Sequence, residues 1–442
     1  MTRLRAAEND RASARQARTD VGTVAASPRP PALDGSLFGW WRDADVRARN
    51  AFIAASFGWM LDSFDVMLYA MVIAALVEDP TLHLSLATAG LLTSVTLLAA
   101  AAGGIAFGVV ADRIGRKRAL MAAVLIYSIF TAACGFAQSA LQLGIIRVLL
   151  GLGFGGEWAT GAALVSESFP AKHRGKALAF VQSSWAIGYG LAALVNLLVM
   201  PVWGWRGVFF VGVVPALFTI WIQRKIEEPK IWQSAAPAER GRVSAVFGRG
   251  IAPITIAIIL MNSFCLFAWW GMNGWIPTYL RLPPAQGGIG LSSSAMSLFV
   301  IAMQVGMWFG YVTFGFMADA IGRKRTYVIY LVAAGILLPT YGVMRLPIVL
   351  LLLGPFVAFF GTGYFSGLGA VVAELYPTTV RATAAGFCYN VGRIASAAAP
   401  YTVGSLATTR GFGVAFAIAG AAFMLAAAMW MWIPETRNRE LT

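Results

Sequence analysis

Gly108-Val-Val-Ala-Asp-Arg-Ile-Gly-Arg-Lys-Arg118 returns as Gly315-Phe-Met-Ala-Asp-Ala-Ile-Gly-Arg-Lys-Arg325, with Asp319 following Asp112 by 207 residues. A second pair, Glu167-Ser-Phe-Pro-Ala-Lys-His-Arg174 and Glu374-Leu-Tyr-Pro-Thr-Thr-Val-Arg381, keeps the offset of 207 at Glu, Pro and Arg. Two separate motifs preserving one offset mark a duplicated chain. Six apolar runs separate the copies, so both halves face the same way and the duplication is parallel.

The 442 residues around these motifs are 58% hydrophobic and 12% charged, and mean hydropathy is +0.70. A water-soluble fold cannot hide that much apolar surface. Runs of about 20 residues, enough to cross a bilayer core as helix, recur from Ala51 to the Trp432 region. They are too long and too uniformly apolar for barrel strands, and helices alone satisfy their own backbone in lipid. The reading is an all-α membrane protein of twelve transmembrane helices in two pseudo-symmetric six-helix bundles. Helix starts are expected near 51, 87, 119, 141, 175 and 205, then near 251, 293, 326, 348, 382 and 411. The expected domains are a disordered tail 1–49, a bundle 50–224, a charged linker 225–250 with Pro229 and Pro237, a bundle 251–433, and a tail 434–442.

The formal net charge of +14 would suggest nucleic-acid binding in a soluble protein. Here topology explains it. With the N-terminus inside, the inside segments hold 28 of the 34 Lys and Arg. The outside loops keep only Arg206, Arg281, Arg345 and Arg410, while Arg147 and Arg393 fall within spans. The positive-inside rule therefore places both termini in the cytoplasm, with the chain in the inner membrane and no nucleic-acid partner. Cys134, Cys265 and Cys388 all lie in apolar runs, which gives neither a disulfide framework nor metal-ligand spacing. No phosphate-binding loop of the GlyXXXXGlyLysSer/Thr type is present, and no cofactor is expected.

Ionisable groups at membrane depth are expensive and usually functional. Gly58-Trp-Met-Leu-Asp-Ser-Phe-Asp-Val-Met-Leu-Tyr69 puts Asp62 and Asp65 on one helical face near mid-membrane, and both carboxylates are absent from the counterpart Cys265 to Ile276. Two neighbouring carboxylates in a low-dielectric cavity favour keeping a proton on at least one of them, which makes the pair a proton carrier. Permanent salt-bridging for helix packing is the alternative. Glu157, in Gly151-Leu-Gly-Phe-Gly-Gly-Glu-Trp158, joins the proton-site candidates, with Tyr364 at the equivalent place. Arg393, in Asn390-Val-Gly-Arg-Ile-Ala-Ser396, corresponds to Ala186 and is the candidate clamp for a substrate carboxylate, since a guanidinium fork replaces lost hydration with two parallel hydrogen bonds. Gln182, Trp185, Tyr189, Asn273, Tyr364, Tyr389 and Asn390, with Asn262, Trp270 and Gln304, lie at plausible cavity depth, where packing is the competing role.

The repeated GlyXXXAspArgXGlyArgLys motif resembles that of the major facilitator superfamily, the second copy departing only in having Ala320 where the first has Arg113. The resemblance covers the chain after its tail. It implies two bundles that rock about a central site and expose it to each side in turn. It also implies gates at Gly108, Asp112, Arg113, Gly115 and Arg116 with Glu167 and Arg174, and at Gly315, Asp319, Gly322 and Arg323 with Glu374 and Arg381. In this fold Asp112 approaches the start of helix eleven and Asp319 the start of helix five, where a helix dipole favours a carboxylate. Arg147 matches the family's helix-four Arg, which the resemblance links to proton transfer; outward snorkelling or pairing with helix one is the alternative.

The helix-one AspXXAsp string is similar to that of aromatic-acid and sialate proton symporters, and residues 157 to 177 and Gln182 to Gly190 look most like the sialate and monocarboxylate group. Trp269 to Pro277 lacks the polar signature of the fungal lactate branch, and Ala186 to Val195 lacks the proline of the antiporter motif. The expectation is import of a small organic anion with protons, in a lipid bilayer, by a chain that works as a monomer. Export by proton antiport and a transporter-like sensor are the alternatives.

Overall fold

The computed structural model describes residues 39–42, 44–169, 171–225, 247–248, 251–376 and 381–437. A unit ending at Asp43 contributes one described helical turn, Gly39–Arg42. All the transmembrane helices belong to the unit Ala44–Thr442.

The first half runs α1 (Val46–Glu78), α2 (Leu86–Ile114), α3 (Arg116–Cys134) and α4 (Ala140–Ser168). The helix Ala171–Val211 then breaks at Gly204, where φ is 61° and ψ is −168°. The part before the break is α5; the part after it, continued by Val214–Lys225, is α6. Packing against α1 shows that the chain reverses there. Ser63 Oγ donates to Trp185 O at 2.8 Å, and Trp205 Nε1, just past the break, donates to Asp79 at 2.8 Å, so α5 runs up to the break alongside α1 in the same sense. Phe218 then stacks on Phe57 with centroids 5.3 Å apart, so α6 returns.

The second half repeats this with interruptions. It comprises α7 (Ala252–Asn273, continued by Ile276–Arg281), α8 (Ser293–Ile321), α9 (Arg323–Val343), α10 (Pro347–Thr362, continued by Phe365–Leu375), α11 (Arg381–Ser396, continued by Ala398–Arg410) and α12 (Phe412–Met429). The break in α11 follows from Pro400, whose ring clashes with the carbonyl four residues earlier and which offers no N–H. Twelve spans result. Among the described residues nine helical runs are long and apolar enough to cross a membrane, and one of them, Ala177–Trp221, contains the Gly204 reversal. The other two spans are α4, whose apolar part Ala140–Gly156 is short, and the interrupted α11.

The 207-residue offset extends to the backbone. Both ends of α2 and α8, and of α4 and α10, differ by that number. Ser85 and Ser292 cap α2 and α8, each accepting a backbone N–H at 3.1 Å. Gly115 and Gly322 turn the chain between helices with φ of 101° and 102°, in the region where a side chain is strained. Gly204 is matched by Gly411, with φ of 81°, between α11 and α12. The expected helix starts lie within five residues of the observed ones.

The most apolar stretch of α1 is 78% buried, against 39 to 50% for the other eight runs, so α1 is enclosed while its neighbours face lipid. Leu91, Leu98 and Ile105 on α2, and Leu298, Val305, Phe309 and Phe316 on α8, form outward stripes suited to hydrocarbon. This is an integral membrane protein.

Candidate functional site

The two halves meet along α1, α2 and α5 on one side and α7, α8 and α11 on the other. At their centre the ring of Trp185 lies 5.5 Å, centroid to centroid, from that of Trp269 in an edge contact between the halves. Trp59 and Phe154 flank Trp185 at 4.8 and 6.4 Å. Trp270 and Phe365 flank Trp269 at 4.9 and 6.2 Å. Arg393 is 4% exposed. Its guanidinium carbon sits 5.1 Å from the Phe154 ring of the opposite half and 5.5 Å from that of Tyr389. Among the described residues it joins no ion pair, so a buried cation between aromatic rings faces the junction of the halves.

The expected pocket residues divide by what already occupies their polar atoms. Tyr189 donates to Asn273 O at 2.8 Å, and Asn273 Nδ2 to Trp269 O at 3.3 Å, so this pair is a seam between α5 and α7. Tyr364 donates to Cys265 O at 3.2 Å, Asn390 Nδ2 to Gly386 O at 2.9 Å, and Asn262 Nδ2 to Cys388 O at 3.1 Å. Gln182 lies near the Tyr311 hydroxyl across the halves. Trp185 Nε1, Trp269 Nε1 and Gln304 Oε1 are buried without a hydrogen-bond partner among the described residues. Each such group forfeits about 1 to 3 kcal/mol until something pairs with it.

A second charged cluster lies within the first half. Asp62 and Asp65 are 0% and 2% exposed, and Arg147 is 1% exposed. Asp65 faces Thr131 and Cys134 of α3, and Arg147 also faces Cys134. Neither Asp65 oxygen, nor Nε or Nη2 of Arg147, has a hydrogen-bond partner among the described residues. The guanidinium instead lies over Tyr69, 3.6 Å from the ring centroid. Asp65 and the Arg147 guanidinium thus both lie near Cys134, while the guanidinium rests on the Tyr69 ring.

At the end of the molecule carrying the repeated motif, Arg323 pairs with Asp319 at 2.6 Å and with Glu374 at 3.0 Å. The Asp319 side chain is 76% exposed, its carboxylate turned to its own half. The Glu435 carboxylate accepts from Arg323 N at 2.8 Å and Lys324 N at 3.1 Å, capping α9. Partial burial alone would raise its pKa, but these bonds and those from Arg437 N and Thr436 N hold it below the usual carboxylate value. Gly315 opens this copy on α8, Gly322 ends that helix, and Arg113 of the first copy is exposed. The side chains of Asp112, Arg116, Glu157, Glu167, Arg174 and Arg381, and the surroundings of Gly108, lie outside the described residues.

The opposite end is shut. Asn196 Nδ2 donates to Ser297 Oγ at 2.9 Å and Ser293 Oγ at 3.1 Å, joining α5 to α8. Gly90 packs directly on the Pro400 carbonyl, where no Cβ would fit, joining α2 to α11. Arg281 reaches Glu78 at 3.2 Å.

The sequence reading missed Trp59, Phe154, Trp269, Tyr311 and Glu435. The 207-residue comparison carries a signal for most of them: Trp269 stands opposite Asp62, Tyr311 opposite Gly104, Phe154 opposite Gly361, and Glu435 opposite Glu228.

Comparison with known proteins gives a concordant picture. The profile of the Major Facilitator Superfamily matches residues 55–283 and 282–442. A probable 4-methylmuconolactone transporter of Cupriavidus pinatubonensis is 35% identical over 417 residues, covering 91% of this chain and 94% of its own. A cis,cis-muconate transport protein of Acinetobacter baylyi is 32% identical, covering 85% of this chain and 91% of its own. The xylose transporter of Escherichia coli, in a partially occluded inward-open conformation, superposes with a TM-score of 0.73 at 18% identity, covering 90% of this chain and all of its own.

Proposed function

This chain belongs to the Major Facilitator Superfamily and is a transporter, not an enzyme, and on that premise we propose that it imports a small organic acid by proton symport. The observation that carries the reading is Arg393: a buried guanidinium at the junction of the halves, with rings of Phe154 and Tyr389 beside it and no carboxylate of the described residues paired with it. An unpaired buried cation is costly, and an incoming carboxylate supplies the missing charge. Aromatic rings on either side suit a flat, conjugated acid. A muconate, for which one relative is named, is a conjugated diacid of that kind; another relative is named for a methylmuconolactone.

Coupling rests on Asp65, with Asp62 and Glu157 as further candidates. When Asp65 is protonated it exerts no pull on Arg147; when it is ionised, carboxylate and guanidinium attract each other past Cys134. Proton and substrate therefore bias the same two-state exchange of bundles from different halves. The closed end faces outward in this reading, and the motif end, rich in Arg and Lys, faces the cytoplasm together with both termini, as the positive-inside rule favours. The Arg323, Asp319, Glu374 and Glu435 cluster and its first-half counterpart act as cytoplasmic gates.

Uptake into proteoliposomes decides the matter. With the outside acidic, cis,cis-muconate or 4-methylmuconolactone accumulates above its external concentration, and an uncoupler abolishes the gradient. Asp65→Asn loses accumulation while keeping exchange of labelled for unlabelled substrate. Accumulation that survives in Asp62→Asn and Asp65→Asn alike refutes proton carriage by these residues. Efflux driven by the same gradient refutes symport.

A further inference from the structure

Tyr69 stands between the charged pocket and the closed end. Its ring carries the Arg147 guanidinium at 3.6 Å. Its hydroxyl donates to Ala89 O at 3.0 Å, on the first turn of α2. The next residue, Gly90, packs on the Pro400 carbonyl, which also accepts from Trp275 Nε1 at 3.1 Å. Tyr69 also lines a small apolar void in the seam with Thr93, Trp270, Gly274, Trp275 and Pro400. A contiguous path thus runs from a buried cation of the first half to the backbone of the second. It has no copy in the other half, where Ile276 and Gly354 replace Tyr69 and Arg147.

We propose that Tyr69 couples the proton site to the closed end: its ring holds the Arg147 guanidinium when Asp65 does not, and so keeps α2 seated on α11. The inference rests on the proton-symport reading above and adds the residue that transmits the proton's presence to the outer seal. Asp65 is one turn before Tyr69 on the same face of α1. With Asp65 protonated, no charge on it draws the guanidinium away, and Arg147 stays over the Tyr69 ring, where the structure has it. With Asp65 ionised, the guanidinium is drawn a turn along α1, the ring is released and the seal loosens. The sign suits import, because the empty, deprotonated carrier must reopen outward.

The titratable groups around this pocket come from α1, α3 and α4. α1 supplies Asp62, Asp65 and Tyr69, and α3 supplies Cys134. α4 supplies Arg147 and, ten residues on, Glu157, whose side chain is outside the described set. From Leu86 to Val110, α2 has no titratable side chain. The tyrosine of α5 at this depth, Tyr189, is bonded to Asn273. Asp65 is therefore the carboxylate nearest Tyr69 along α1.

The test uses the full chain in proteoliposomes with a reporter cysteine, Thr93→Cys, in the seam and a membrane-impermeant maleimide added outside without substrate. In the presence of Tyr69, labelling is slow at acid pH and rises with pH; Asp65→Asn holds it slow throughout. Tyr69→Leu, or Tyr69→Met if the first does not reach the membrane, labels roughly tenfold or more faster at acid pH and loses the pH dependence, in keeping with loss of a desolvated cation–π contact. Tyr69→Phe keeps the ring and keeps the pH dependence. The proposal is overturned if a ring-less variant retains the wild-type pH profile, or if Tyr69→Phe flattens it as Tyr69→Leu does. A normal labelling profile beside absent acid-driven uptake of muconate and methylmuconolactone would instead refute the transport reading and leave this coupling standing.

Discussion

Burying a guanidinium without a carboxylate costs several kcal/mol unless a ligand or ring compensates, and among the described residues this happens twice, at Arg147 and Arg393. The two are compensated differently. Arg147 rests on Tyr69 at 3.6 Å, a cation–π contact close enough to stand alone, whereas the rings beside Arg393 are 5.1 and 5.5 Å away. Arg393 is thus the cation with more to gain from an incoming anion. Replacing it by Ala is expected to weaken binding of the transported acid by on the order of 100-fold or more, and Arg393→Lys to recover only part, because an ammonium cannot form the paired hydrogen bonds of a fork. Binding measured by quenching of tryptophan fluorescence checks this; an Arg393→Ala protein that binds like wild type removes the clamp. Arg393 was legible from sequence because its repeat partner is Ala186. Trp269 and Phe154 differ from their partners just as plainly, yet an aromatic residue at depth is by default packing. Only the rotation of α4 and α7 about their axes, set by tertiary contacts, turns these rings towards the junction.

At the scale of elements, spans and their repeat register follow from hydropathy and the 207-residue offset, because lipid leaves a chain few options for its backbone. The interruptions were not legible. α11 breaks ahead of Pro400, but Pro339 lies inside the unbroken α9 and α10 runs on past Pro355 to Thr362, so proline alone does not decide. One connection is held electrostatically. Asp79, just beyond α1, accepts from Thr81 at 2.6 and 2.8 Å and from Trp205 at 2.8 Å, with Arg206 at 3.4 Å. Partial burial pushes its carboxyl up, but these bonds and the nearby charge outweigh it and bring the pKa down to about 2. A carboxylate held below its unfolded value of about 3.9 stabilises the fold above that pH, and the contribution disappears as pH falls through about 2. The expected size, discounted for the exposed Arg206, is on the order of 1 kcal/mol. Thermal unfolding in detergent checks it. Asp79→Asn is expected to lower the midpoint at neutral pH and to converge with wild type below about pH 2; parallel curves at all pH values would show that the charge contributes nothing.

For the whole molecule, the informative quantity is where the halves touch. Asn196 with Ser293 and Ser297, Tyr189 with Asn273, and Glu78 with Arg281 tie one end together. At the other end the Asp319 carboxylate pairs within its own half and is largely exposed. If exchange between two such states carries the substrate, fixing the closed end must stop net transport without destroying the central site. The Asn196 and Ser297 side chains, 2.9 Å apart at their polar atoms, offer the place. A protein carrying Asn196→Cys and Ser297→Cys is expected to lose uptake on mild oxidation and regain it on reduction, because the cross-link removes the state open at that end. Each single cysteine variant should be indifferent to oxidant. Substrate added in detergent should still bind the oxidised protein through the motif end, with affinity within a few-fold of the reduced form, since Arg393 and its rings lie beyond the cross-link. Continued uptake by fully cross-linked protein would mean that the two halves need not part along α5 and α8, and alternating access about this seam would have to be abandoned.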